Sequence, residues 1–346
     1  MFAFVNSKRL LQRYEEMKAG QKKNSIFFCP ALFFLYFCHV DYTLNIKGRL
    51  MSLGEPQVMG ILNVTPDSFY AASRTVDETA VAQRVNQMVA DGAGIIDVGA
   101  CSTRPQSLPV SQTEEMERLR RALTVVRREQ PTAVVSVDTF RPDVARMTVE
   151  EFGADIVNDV GGALPAVVAD LSPMFRMVAR LGVPYVLTAG EPTLRQTLLF
   201  FAARVQQLRD VGQKDIIVDP GFGFGKTVEQ NYALMSQLEH LGILELPVLV
   251  GISRKSMLSR LLNIDTAETL NATTAANTVA LMKGTSILRV HDVREAAECV
   301  KICRAVCPIS PIGPISPISP ISPISPMSPI GPISPISPIS PIINNK

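Results

Sequence analysis

Between residues 58 and 290 the chain alternates short, uninterrupted apolar runs with longer stretches in which apolar positions return every three or four residues. The short runs are Val58–Leu62, Gly94–Val98, Ala133–Val137, Asp155–Val157, Pro184–Leu187, Asp215–Val218, Pro247–Val250 and Ser286–Val290. A run apolar at nearly every position is what a strand buried on both faces looks like, and such strands belong to parallel sheets covered by helices. The longer stretches read as amphipathic helices. Thr75–Asp91 aligns Val81, Val85, Met88 and Val89; Gln112–Arg128 aligns Met116, Leu119 and Leu123; Asn271–Lys283 aligns Ala275, Val279 and Met282. Strand–helix alternation repeated eight times over about 250 residues predicts an α/β fold of the (β/α)8 TIM-barrel type. Ahead of the first barrel strand, Tyr42–Leu53 with Lys47-Gly48 at its centre reads as a short β-hairpin placed to plug the barrel floor.

The two ends have a different composition. Residues 308–342 repeat Pro-Ile-Ser with period three and hold 12 of the 25 prolines. Proline at every third position removes the backbone donors that helix and sheet require, so a disordered tail with local polyproline II character is expected. Residues 25–40 form an apolar run after Lys22 and Lys23. It is short for a membrane span, contains Pro30, and lacks a small-residue cleavage site after what resembles a signal-peptide core. We therefore expect a leader over residues 1–41 that precedes the true start, a barrel over 42–306 and a low-complexity tail over 307–346, with no membrane partner. The net charge of +2 gives no bulk electrostatic case for nucleic acid. Six cysteines are too few for a disulfide framework in 346 residues, which points to the reducing cytoplasm. Cys299, Cys303 and Cys307 recur at helical spacing and read as a partly buried helix face rather than a metal site, since no fourth ligand lies nearby.

The chemistry sits where the expected strands end. Asn63 follows strand one, Asp97 lies in strand two, Asp138 follows strand three, and Asn158 follows strand four. Asp219 follows strand six, Ser253-Arg254-Lys255 strand seven, and Arg289 and His291 strand eight. A lone Asp after a strand is usually a helix cap. So many polar groups at one end of a barrel instead suggest the mouth at which barrel active sites form. Asp138, Asn158, Asp219 and Lys255 supply donors and acceptors suited to a planar heterocycle with amino and carbonyl edges. Arg289, His291 and Asn63 suit a diphosphate, with or without Mg2+. Ser253 reads as the start of a helix over Ser253–Leu262, whose free N–H groups would hold a carboxylate. Gly221-Phe222-Gly223-Phe224-Gly225-Lys226 has neither the P-loop nor the dinucleotide spacing, so its glycines are expected to let the backbone approach a flat ligand.

Seven segments, in order, resemble the dihydropteroate synthase family: VMGILNVTPDSF at 58–69, IIDVGACSTRP at 95–105, VSVDTF at 135–140, DIVNDVGG at 155–162, DPGFGFGKT at 219–227, VGISRKSM at 250–257 and ILRVHDV at 287–293. The resemblance implies condensation of a pterin diphosphate with 4-aminobenzoate by a cytoplasmic homodimer using Mg2+. It assigns the pterin to Asp138, Asn158, Asp219, Phe224 and Lys255. It assigns the diphosphate and its magnesium to Asn63, Arg289 and His291, with Asn63 the metal ligand. It assigns 4-aminobenzoate to Thr103, Arg104, Phe224 and Ser253. Asp138, Lys255, Arg289 and His291 are the expected catalytic groups.

The chain departs from the family pattern after strand five. Leu187-Thr188-Ala189-Gly190 stands where a Met-His-Met-type segment and a longer loop are usual, and Ala100-Cys101 where Gly and Glu or Tyr are frequent. Two other readings stay open at this point. A methyltetrahydrofolate-binding methyltransferase barrel would share the pterin-holding Asp and Asn but need no anion site at Arg289 and His291. A degenerate, non-catalytic pterin-binding paralogue would keep the fold and lose turnover.

Overall fold

The computed structural model describes residues 41–64, 74–101, 110–163 and 172–306. The chain opens with an antiparallel hairpin, β1 (Thr43–Ile46) and β2 (Arg49–Ser52). Lys47 and Gly48 both take positive φ, 51° and 84°, the left-handed pair that a tight hairpin turn requires. Eight parallel strands follow: β3 (Gln57–Asn63), β4 (Ile95–Gly99), β5 (Val134–Asp138), β6 (Ile156–Asp159), β7 (Tyr185–Thr188), β8 (Ile216–Asp219), β9 (Leu249–Val250) and β10 (Ile287–Val290). The sheet order is β8-β7-β6-β5-β4-β3-β10-β9, and a bridge from Val218 to Val248 brings β8 beside β9 and closes the ring. This is the expected TIM barrel, with each expected strand matched to within a residue or two.

Nine described α-helices surround the barrel: α1 (Arg74–Ala90), α2 (Gln112–Glu129), α3 (Pro142–Phe152), α4 (Pro173–Leu181), α5 (Leu194–Asp210), α6 (Val228–Ser236), α7 (Ser256–Leu262), α8 (Leu270–Met282) and α9 (Val293–Val306). Local chemistry fixes several starts. The Ser111 side chain accepts from the Glu114 N–H at the head of α2, and Thr227 and Gln230 form a reciprocal capping box on α6. Val81, Val85 and Met88 of α1 and Leu119 and Leu123 of α2 are buried, as their spacing predicts. The expected face of α8 is wrong. Val279 is exposed and Ala275 faces solvent, while Thr273, Asn277, Ala280 and Leu281 turn inward. One of these inward polar residues has a clear partner: the Thr273 hydroxyl accepts the Arg254 N–H.

Two apolar layers result. The outer one packs the outward faces of the strands (Val58, Leu62, Ile96, Val98, Val135, Val137) against the helices. The inner one fills the lower barrel with Met59, Ile95, Ile156, Val186, Ile217, Leu249 and Ile287. Leu44, Ile46 and Leu53 join that inner layer, so the hairpin plugs the floor as expected, each side chain contributing about 1.5–3 kcal/mol through burial. At this stable end Asp155 accepts from Arg127 Nη2 at 2.9 Å and from the Val135 N–H at 2.9 Å, and pairs with Lys47 at 2.7 Å. Cys299 is buried and Cys303 packs beside it, as a helix face; Cys307 and the Pro-Ile-Ser repeat lie outside the described residues, as does the leader.

Candidate active site

Strand alternation carries the inner face of each strand from apolar at the floor to polar at the mouth. On β4 the inward sequence is Ile95 then Asp97; on β5, Ser136 then Asp138; on β6, Ile156 then Asn158. On β7 it is Val186 then Thr188, on β8 Ile217 then Asp219, and on β10 Ile287 then Arg289. The sequence-predicted strand-end groups of β4, β5, β6, β8 and β10, joined by Thr188 of β7, thus form one polar layer above the apolar floor.

Arg289 is the hub of that layer. Its Nε donates to Asp97 Oδ2 at 2.7 Å and its Nη2 to Asp138 Oδ2 at 2.6 Å. Asn158 Nδ2 donates to the same Asp97 oxygen at 3.1 Å. Burial works against the charge on Arg289, but the Asp97 and Asp138 carboxylates outweigh it and hold the guanidinium above its usual range. Burial pushes Asp138 up to about 7, against the pull of Arg289 and helped by the charge of Asp97. Asp97 Oδ1, Asn158 Oδ1, Ser136 Oγ and Thr188 Oγ1 are buried without a hydrogen-bond partner among the described residues. Each such group costs about 1–3 kcal/mol unless something supplies its partner. A ligand carrying N–H donors would remove that cost.

A second pair faces this cluster. Burial raises the Asp219 carboxyl against the attraction of Lys255, and Asp219 Oδ1 also accepts the Gly221 N–H at 2.8 Å. Burial lowers Lys255 to about 8, opposed chiefly by Asp219. Lys255 Nζ donates to the Phe222 carbonyl and stands 4.9 Å from the centre of the Phe224 ring. Phe224 therefore borders the same space from the glycine-rich turn. Asn63 is half-buried at the end of β3. Gly99 separates it from Asp138: a Cβ at Gly99 would lie 3.6 Å from Asn63 Oδ1 and 3.7 Å from Asp138 Oδ2. The missing side chain leaves a gap flanked by two oxygens.

Two expectations about local structure are corrected. Helix α7 starts at Ser256, not Ser253. Ser253 lies in the preceding turn, followed by Arg254 with φ 52°, and its hydroxyl accepts the His291 N–H at 3.1 Å. Its buried position ties β9 to β10 instead of capping a helix. The glycines of 221–225 are dictated first by the turn itself. Gly221, at φ 66°, sits where a Cβ would fall 1.9 Å from the Ala189 carbonyl, and Gly223 and Gly225 also take positive φ. The short connection after β7 is therefore locked against this turn. Lys226 donates to the Gly221 carbonyl at 2.9 Å, and burial lowers it to about 8. His291 lies one residue past β10, with its carbonyl accepting from Arg84 at 2.5 Å. Thr103 and Arg104 lie outside the described residues, as do 65–69. Cys101 contacts the buried Glu115 and Arg141, and burial with the Glu115 charge pushes its thiol up to about 11, which leaves it a poor nucleophile.

Residues 59–291 match the family described as pterin binding enzyme. The dihydropteroate synthase of Escherichia coli is 35% identical over 272 residues, covering 76% of this chain and 95% of its own. The chain belongs to the dihydropteroate synthase family. Among solved structures, the 7,8-dihydropteroate synthase of Vibrio fischeri is 35% identical with a TM-score of 0.68, covering 78% of this chain and 100% of its own. The Xanthomonas albilineans dihydropteroate synthase, solved with 4-aminobenzoic acid, is 33% identical with a TM-score of 0.70 and the same coverage. Family membership places the polar layer in a context of pterin chemistry and does not favour the methyltransferase reading. Asp97 is the group that the sequence left without a role: it was visible as a strand-end carboxylate, but nothing local announces bonds to residues 61 and 192 positions away.

Proposed function

We propose that this chain condenses 6-hydroxymethyl-7,8-dihydropterin diphosphate with 4-aminobenzoate, forming 7,8-dihydropteroate and releasing diphosphate. The observation that carries the reading is the buried layer joining Arg289, Asp138, Asp97 and Asn158 beside the Asp219–Lys255 pair, with acceptors left for a donor-bearing ring. Asn158, Asp219 and Lys255 read the pterin edges, and Phe224 closes over its face. Asp138, held beside the barrel axis, stabilises positive charge that builds on the ring as the exocyclic methylene loses its diphosphate oxygen. The aniline nitrogen bonds to that methylene carbon, the carbon–oxygen bond breaks, and the surplus proton on nitrogen passes to solvent. Arg289 has N–H groups beyond its two carboxylate bonds and, with His291, takes up the charge of the departing anion. Thr103, Arg104, Phe224 and Ser253 hold 4-aminobenzoate.

Asn63 offers a hard oxygen at the gap left by Gly99, which suits Mg2+ shared with substrate phosphates. When bound, the ion neutralises phosphate charge; the protein's part is Asn63, with Arg289 and His291 on the same anion. We further propose a cytoplasmic homodimer. Six of the seven large apolar side chains exposed among the described residues, Leu261, Leu262, Ile264, Val279, Ile302 and Val306, belong to the last third of the barrel, a concentration suited to a second copy. Among the described residues no helix is long and apolar enough to cross a membrane, and none of their cysteines forms a disulfide. The test is turnover by the purified protein: one diphosphate released per dihydropteroate formed, dependent on both substrates and Mg2+. Pterin binding without diphosphate release would refute it.

A further inference from the structure

We propose that Asp97 is a positioning residue that dictates which edge Asn158 presents to the ligand and fixes the pose of Arg289. A single oxygen, Asp97 Oδ2, accepts both the Asn158 amide at 3.1 Å and Arg289 Nε at 2.7 Å. A carboxylate facing a guanidinium can only accept, so the NH2 of Asn158 must face it and Asn158 Oδ1 must point the other way. That oxygen is buried with no protein partner among the described residues. It is therefore an acceptor held ready for a donor on the bound ring. Asp97 itself is fully buried, so neither bond competes with water. Asp97 also takes Arg289 by the Nε edge while Asp138 takes Nη2, which fixes the plane of the guanidinium from two sides.

This inference rests on the pterin reading of the site, and its test separates the two. Asp97→Asn keeps the shape but offers both a donor and an acceptor, so the Asn158 amide loses its reason to keep one orientation. Calorimetric binding of the pterin diphosphate to the full chain is expected to weaken roughly ten- to a hundredfold, the cost of a mispaired buried group. The KM for 4-aminobenzoate should move less than about threefold. The double variant Asp97→Asn/Asn158→Asp restores the pairing with its polarity reversed: the new amide donates, position 158 again turns an oxygen to the ligand, and the total charge is unchanged. It should recover most of the lost affinity, which a merely structural role for Asp97 would not produce, and it decides the matter if the single variant fails to fold. Thr148→Ala, which removes a buried hydroxyl from helix α3 without touching these bonds, should bind like the parent. Unchanged pterin affinity in Asp97→Asn, equal loss for both substrates, a double variant no better than the single one, or the same loss in Thr148→Ala would overturn the proposal. If the parent protein bound no pterin diphosphate at all, the functional reading itself would fail.

Discussion

Replacing Arg289 with methionine keeps much of the side-chain volume and removes the one cation that Asp97 and Asp138 share at 2.7 and 2.6 Å. Asp97 is fully buried, so its carboxylate would be left without a counter-charge in a place water does not reach. Breaking a buried pair from one side costs about 3–5 kcal/mol, and that is the expected loss near neutral pH. Its pH dependence has a definite sign. The Asp138 carboxyl is raised from 3.8 to about 7 in the folded protein, so the folded state binds more protons than the unfolded state between those values. Stability from this group accordingly falls as pH rises through that window. Arg289 is the chief influence holding Asp138 down, so its removal moves the upper end of the window above 7. The gap between parent and variant should therefore widen from pH 7 to 9. Urea denaturation of both proteins across pH 5.5–9 measures it. A loss below about 1 kcal/mol, or a gap that does not grow with pH, would refute the claim that Arg289 neutralises this layer.

Four other substitutions probe the remaining geometry. Lys255 titrates near 8 because burial outweighs the attraction of Asp219, so kcat/KM should decline above about pH 8 as the ammonium is lost. Lys255→Arg should move that decline upward, whereas Lys226→Gln should leave it in place even though Lys226 is also lowered to about 8; the opposite pattern would reassign the group. Gly221→Ala drives a methyl toward the Ala189 carbonyl as well as straining the backbone, so its melting temperature should fall far more than that of Gly225→Ala, which adds only the strain of roughly 1 kcal/mol. Equal losses would show that the two turns are not in close contact.

Much of this was legible in the chain. Strands buried on both faces write themselves as apolar runs, and their ends announce the mouth, so Asp138, Asn158, Asp219, Lys255 and Arg289 could be picked out one by one. The hairpin was equally plain, since Lys47-Gly48 can sit between two short strands in few other ways. What could not be read were relationships set by tertiary packing. Ser253 looks like a helix cap because serine usually is one, yet its partner is a backbone N–H 38 residues away. The inner face of α8 does not follow from apolar spacing, because a polar residue such as Thr273 has a hydrogen-bond partner there. The glycines after Asp219 suggest room for a ligand, while their left-handed backbone and the Ala189 carbonyl explain them without one. Asp97 could be seen, but its hold on two distant side chains follows only from strands closing into a ring.

A crystal structure of the protein with the pterin diphosphate bound is the most direct test of the shared cavity. The ring should lie within about 3 Å of Asn158 Oδ1, the Asp219 carboxylate and Lys255 Nζ, with the phosphates turned toward Arg289 and Asn63. A ligand seated elsewhere, with Asn158 Oδ1 still unpaired inside the barrel, would contradict the account.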